Sequence, residues 1–215
     1  MTVTLAISFS EDSELNRVEE TIKRLPWYRE HKYPETFAKL PLDVAETSTE
    51  DAIVAAVSKE YEPQSFKETE EYIQDKWSAV VDGFEELRKM RGIELRDSYS
   101  VVLTKYGSGG SYNGAIGELI IRIGSQKRRE QIVGVIVHEI VHMTIQHLID
   151  MYEVSHWRKE KLVDMLVERY FPALEMSQNI PEDVSVVEDT FNLLFPDIEA
   201  IVKVVGTKKQ PISLE

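Results

Sequence analysis

Three polar residues in an otherwise apolar stretch, His138, Glu139 and His142, have the types and the spacing of a metal site. The stretch 132–149 is mostly Ile, Val and Leu, which predicts a buried central helix. Residues four apart lie on one face of a helix, so both imidazoles can bind the same ion. Glu139 lies about 100° around the helix from His138 and about 60° from His142, so it can reach a water molecule on that ion. Burying these groups is costly unless they are satisfied, and a metal ion would satisfy them.

A further ligand is expected from the helix that follows. The chain contains no cysteine, so a zinc site must use histidine and carboxylate ligands. Glu160 and Asp164 lie four apart, and a ligating carboxylate followed by a second one that orients a ligating histidine makes a coherent zinc site. His156 is the alternative ligand, which would give a three-histidine site, or else a group that stabilises the transition state. Glu160 is the favoured ligand, because of its ligand chemistry and its partner Asp164. His156 remains the alternative.

These segments resemble a known family of enzymes. The run His138–His142, followed eighteen residues later by Glu160–Asp164, is similar to the gluzincin group of zinc metallopeptidases. The resemblance implies His138, His142 and Glu160 as zinc ligands, Glu139 as general base, and Asp164 as the residue that orients a ligand. It also implies that Glu118–Ile123 is the edge strand that pairs with an extended peptide. The resemblance covers about residues 96–172.

The function that these residues predict is zinc-dependent hydrolysis of peptide bonds. Zinc lowers the pKa of its water towards about 7, and Glu139 accepts the proton and returns it to the leaving amine. The expected cofactor is therefore Zn²⁺ and the expected partner is a peptide or protein substrate. The alternative is a catalytically inactive or latent zincin-fold module that binds metal or peptide.

Charge and composition exclude other classes of function. The chain has 38 acidic and 25 basic residues and a formal net charge of -13, which repels phosphate backbones and argues against a nucleic-acid partner. Its N-terminal residues lack the basic start and apolar run of a signal peptide. We expect no segment of membrane-spanning length, no membrane partner, and a cytoplasmic location.

The periodicities predict an α+β fold. With the resemblance, this becomes a zincin-like catalytic domain with a small mixed or antiparallel sheet, a central His-Glu-x-x-His helix and a following glutamate-bearing helix. The predicted division is an N-terminal α/β portion (1–95), a catalytic core (96–180) and a C-terminal helix with a tail (181–215), possible also as one domain.

The predicted elements begin with a strand over 2–9 and a helix that Ser10 caps and Pro26 stops. A short helix over 49–59 precedes a longer one that starts at a Ser65–Glu68 capping box and ends before Gly92. Strands near 99–103 and 118–123 form a hairpin or a strand pair around a glycine-rich flap. Helices over 126–152 and 156–171 follow, then a helix from about 181 and a frayed tail after 206.

Overall fold

The structure, a computed structural model, describes residues 2–34, 36–174 and 178–206. The predicted tail after residue 206 lies outside the described residues. The described chain divides into two compact units, one drawn from the spans Met1–Val81 and Arg96–Glu139 and the other from Asp82–Leu95 and Ile140–Glu215. The division falls inside one continuous helix, between Glu139 and Ile140. The three spans predicted from the sequence stay a prediction.

The elements confirm the α+β class, with helices and one small mixed sheet. The strands are β1 (Thr4–Ser8), β2 (Ser98–Thr104), β3 (Gly110–Asn113) and β4 (Glu118–Arg122). The helices are α1 (Glu11–Glu30), α2 (Glu50–Glu60), α3 (Pro63–Trp77), a 3₁₀ turn (Ser78–Val80), α4 (Val81–Arg88), α5 (Gln126–Met151), α6 (His156–Tyr170), α7 (Ser185–Leu194) and α8 (Ile198–Gly206).

The sheet runs in the order β1-β2-β4-β3. β1, β2 and β4 are parallel, and β3 is antiparallel to β4. β2 and β4 do pair, which confirms the expected strand pair, but the pairing is parallel, so the hairpin alternative is wrong. The predicted glycine-rich flap contains β3, which doubles back and pairs with the outer side of β4. Alternating apolar residues predicted both strands correctly, but alternation carries no information about strand direction.

The predicted edge strand is also wrong. Glu118–Ile123 contains β4, which has β2 on one side and β3 on the other. The edges of the sheet are β1 and β3. Leu119 and Ile121 of β4 are fully buried, and such alternation indicates one buried face without telling an inner strand from an edge strand.

The first helix corrects a predicted boundary. Ser10 caps α1 as expected, because its side chain accepts a hydrogen bond from the Ser13 backbone N–H. The helix then continues through Pro26 to Glu30 instead of stopping there. Proline removes one backbone donor from a helix, and packing in the next turn offsets that loss, since buried Tyr28 contacts Tyr33 and Phe37 edge-on.

The prediction of a Ser65–Glu68 capping box is wrong as well. α3 begins at Pro63, two residues earlier, with Glu62 at the cap position and no side-chain cap. The Ser65 hydroxyl instead donates to the Glu62 carbonyl oxygen at 2.9 Å. Proline at the first helical position is already suited to a helix start, since its φ is fixed near the helical value. The long helix predicted here is broken by the 3₁₀ turn into α3 and α4.

The C-terminal part holds one helix more than predicted. α5 and α6 match their expected spans, and α7 begins at Ser185, four residues after Pro181. α8 was missed, although its buried residues follow helical spacing. These residues are Ile198, Ile201, Val202 and Val205.

The central helix has the length and apolar character of a membrane span. Its segment Arg128–Met151 has 24 residues, and the most apolar window of 18 residues within it has a mean hydropathy of 1.5, which meets the length and composition of a membrane span. The expectation that no segment reaches that length is therefore wrong by this measure. Within the protein, 78% of its most apolar window is buried, and buried core helices have the same length and composition.

Candidate metal centre

Helix α5 supplies three of the predicted site residues from adjacent turns. His138 is 4% exposed, Glu139 9% and His142 3%. Their neighbours along the helix are buried aliphatic residues, Val137, Ile140 and Val141 among them. Local sequence is sufficient for this part of the site, because the spacing of the two histidines fixes them on one helical face.

Helix α6 supplies Glu160. Its buried face repeats at intervals of three and four, and Glu160 occupies a position on that face where the other members are mainly apolar: Trp157, Leu162, Val163, Leu166 and Val167. The carboxylate is 7% exposed, and its Oε2 lies 3.2 Å from His142 Nε2. A carboxylate is seldom buried this deeply unless it is paired or binds a metal.

His138, His142 and Glu160 form one buried group. A ligand atom from each residue lies within 4.8 Å of the other two. Zinc binds imidazole nitrogen and carboxylate oxygen at about 2.0–2.2 Å, so its ligand atoms lie about 3–4 Å from one another. The upper limit of 4.8 Å on the separations in this group is close to that spacing. The residues therefore fit a metal ion, and the mixture of nitrogen and oxygen donors suits several divalent metals.

Glu139 lies against the first residue of the edge strand β3. A Cβ atom added at Gly110 would lie 2.8 Å from Glu139 Cδ, so a larger residue there would require the Glu139 side chain to shift. Buried Arg17 lies near enough for the negative charge of Glu139 to oppose the lowering of the Arg17 pKa that burial causes. The general-base candidate thus lies against a glycine backbone and within electrostatic range of a cationic side chain.

Asp164 shares a hydrogen-bond donor with Glu160. The Gln178 side-chain amide donates to Glu160 Oε2 at 3.1 Å and to Asp164 Oδ1 at 3.4 Å. Gln178 was missed in the sequence, and nothing in its neighbourhood could have identified it, since it follows α6 outside any periodic segment. It links the two carboxylates that the sequence predicted to act together.

His156 lies on the other side of the Glu160 carboxylate. Its Nδ1 is 3.7 Å from Glu160 Oε1, and its ring packs edge-on against Trp157. Among the described residues, the close group comprises His138, His142 and Glu160 and does not include His156. The structure therefore places the favoured ligand in the group and the alternative beside it.

The site comprises the buried group His138, His142 and Glu160, which fits a metal ion. The Glu139 carboxylate follows the first histidine and lies against Gly110, where the edge strand β3 begins. No protein-family model, no curated protein and no solved structure matches this chain. Its function has to be argued from these residues themselves.

Proposed function

We propose that this protein is a metal-dependent peptidase, with zinc as the metal and His138, His142 and Glu160 as its ligands. The observation that carries the proposal is the buried group of these three residues within 4.8 Å, with Glu139 next to it in the chain and against the sheet edge. A purely structural site has no use for a carboxylate in that position.

The metal would supply Lewis-acid chemistry, polarising a carbonyl oxygen and lowering the pKa of water. The protein's own residues supply the rest. Glu139 accepts a proton from the attacking water and then donates it to the leaving amine nitrogen. Its side chain lies against the Gly110 backbone, which puts the carboxylate at the start of β3. Gln178 holds the Glu160 carboxylate through a hydrogen bond at 3.1 Å.

The substrate would bind along β3. β3 pairs with β4 on one side, and no described strand pairs with its other side. An extended peptide can add to such an edge through backbone hydrogen bonds. Because β3 starts at Gly110, a peptide on this edge passes the Glu139 carboxylate. β3 thus takes the role that the sequence had assigned to Glu118–Ile123.

The test compares the parent protein with Glu139→Gln and with Glu130→Gln, an exposed control on the same helix. Each is assayed for zinc by elemental analysis and for cleavage of a peptide library by mass spectrometry. We expect about one zinc per chain in all three proteins, with cleavage abolished only by Glu139→Gln. Absence of zinc from the parent would contradict the proposal. Zinc without cleavage in the parent would contradict the peptidase and favour the metal- or peptide-binding module.

The choice between Glu160 and His156 needs a separate experiment. Glu160→Gln and His156→Gln are titrated with zinc against a competing chelator. Loss of a true ligand should weaken binding by more than about 100-fold, whereas loss of an outer hydrogen-bond partner weakens it by about 10–100-fold. We expect the larger loss for Glu160→Gln, and the reverse order would make His156 the ligand.

A further inference from the structure

A second feature of the unit that contains the sheet is a basic cleft of about 470 Å³. Its charged lining residues are Lys39, Arg122 and Arg128, and the residues between them are small or apolar. No carboxylate belongs to its described lining. Three cations that line one cleft are unexpected in a chain with a formal net charge of -13.

The two arginines use neutral partners. Arg122 Nη1 donates to the carbonyl oxygens of Phe37 at 3.3 Å and Gly107 at 2.9 Å. Arg128 Nε donates to the Arg122 carbonyl oxygen at 3.1 Å. Arg128 Nη2 is buried and makes no hydrogen bond with the described residues. The carbonyl contacts hold the guanidinium groups through neutral acceptors, and no carboxylate lines the described part of the cleft.

Burial of these like charges is unfavourable. Desolvation, with added repulsion from Arg128 and Arg17, lowers the pKa of Arg122 to about 10. Desolvation also lowers the pKa of Arg128. A bound anion would compensate both groups, because charge-assisted hydrogen bonds to arginine are strong and directional.

The cleft adjoins the start of the edge strand. Arg128 Nη2 would lie 3.0 Å from a Cβ atom at Gly109, and the Arg122 backbone N–H donates to the Gly109 carbonyl at 3.0 Å. Gly109 directly precedes Gly110, the residue against Glu139. Lys39 is held to the same loop by two backbone hydrogen bonds with Gly107, at 2.8 and 2.9 Å. The cleft therefore lies beside Gly109, the residue before β3, and a peptide aligned on β3 would have its end near the cleft.

We propose that the basic cleft formed by Lys39, Arg122 and Arg128 binds a carboxylate of the peptide substrate and so selects acidic substrates. That the ligand is a substrate rests on the proposed peptidase function. That the cleft binds an anion is inferred from the cleft residues alone. The carboxylate has two sources with the same chemistry, an Asp or Glu side chain and a free C-terminus. Arginine suits either one, because its planar donors match both carboxylate oxygens.

The experiment measures binding without cleavage. Zinc-loaded Glu139→Gln protein is incubated with two randomised pools of short peptides, one with free C-termini and one with C-terminal amides. Retained peptides are identified by mass spectrometry. We expect retained peptides to be enriched in carboxylates. Enrichment of the free-acid pool over the amide pool identifies the C-terminus, and enrichment of Asp or Glu within the amide pool identifies a side chain.

Variants of the cleft assign that preference to its residues. In the same background, Arg128→Gln should reduce the enrichment about tenfold. Lys39→Gln, at an exposed position where folding is not at risk, should reduce it about threefold. Lys67→Gln, an exposed lysine of α3 outside the cleft, serves as the control and should leave it unchanged.

Equal retention of acidic and uncharged peptides would overturn the proposal, and so would enrichment that survives in both cleft variants. If the parent cleaves no peptide but the cleft-dependent enrichment persists, the anion site is supported and the peptidase fails. The two proposals are therefore distinguished.

Discussion

Glu14 and Glu160 are two buried carboxylates in different units, and the groups around them indicate different roles. Glu14 is 1% exposed and accepts the Lys105 backbone N–H with both oxygens, at 2.9 and 3.1 Å. Glu160 is 7% exposed and faces an imidazole nitrogen at 3.2 Å. A backbone donor satisfies Glu14 within the fold, whereas Glu160 belongs to a group of possible metal ligands. Burial alone therefore does not identify a functional carboxylate.

The largest effect expected from this comparison concerns metal binding. Glu160→Gln should weaken zinc binding by more than about 100-fold, because a neutral amide replaces an anionic ligand. Glu14→Gln should leave zinc binding unchanged. Competition with a chelator measures both, and Glu168→Gln, an exposed change on α6, is the control. Equal losses in Glu14→Gln and Glu160→Gln would break the comparison.

The second effect concerns stability. Glu14→Ala leaves the buried Lys105 N–H without its acceptor, which should lower the free energy of unfolding by about 1–3 kcal/mol. Urea unfolding measures this, and Glu20→Ala, an exposed change on α1, should cost only a few tenths of a kcal/mol. Zinc content should stay at the parent value in both. A stable Glu14→Ala protein that has lost its zinc would contradict the structural role of Glu14.

A smaller effect is expected at Gln178. Gln178→Ala removes the amide donor to Glu160 and Asp164, so the ligand carboxylate is less well oriented. We expect zinc affinity to fall about tenfold, the lower end of the range for outer partners of a metal ligand. The same chelator competition measures it. An unchanged affinity would show that Gln178 does not orient the site.

A further effect is a pH dependence of stability. Burial raises the pKa of Glu14 from 4.5 to about 7, against the lowering effect of the Lys105 hydrogen bond. The folded state therefore holds a proton that the unfolded state releases, and Glu14's contribution to stability falls as the pH rises from about 4.5 through about 7. Between about pH 5 and pH 8, Tm should fall less in Glu14→Gln than in the parent. Parallel curves would contradict the raised pKa.

The sequence predicted those features of the fold and the site that depend on the spacing of residues within one helix or strand. The pair His138 and His142 follows from helical geometry, and Glu160 follows from ligand chemistry on the next helix. The alternating residues of β2 and β4 predicted strands, but direction and order depend on long-range pairing, so β3 and its edge position were missed.

Contacts between segments far apart in the chain could not be predicted from the sequence, because they too depend on long-range pairing. Gly110 meets Glu139 across 29 positions, and Gln178 meets Glu160 across 18. The cleft joins Lys39 to Arg122 and Arg128 across more than 80 positions of the chain. Periodicity describes single elements and cannot report which elements become neighbours.

The most direct test of the metal centre is anomalous diffraction at the zinc absorption edge from crystals of the full chain grown with zinc. We predict one strong peak about 2.0–2.2 Å from an imidazole nitrogen of His138, an imidazole nitrogen of His142 and a carboxylate oxygen of Glu160. An empty group, or a zinc ion bound by other residues with these three still in contact with one another, would contradict the account.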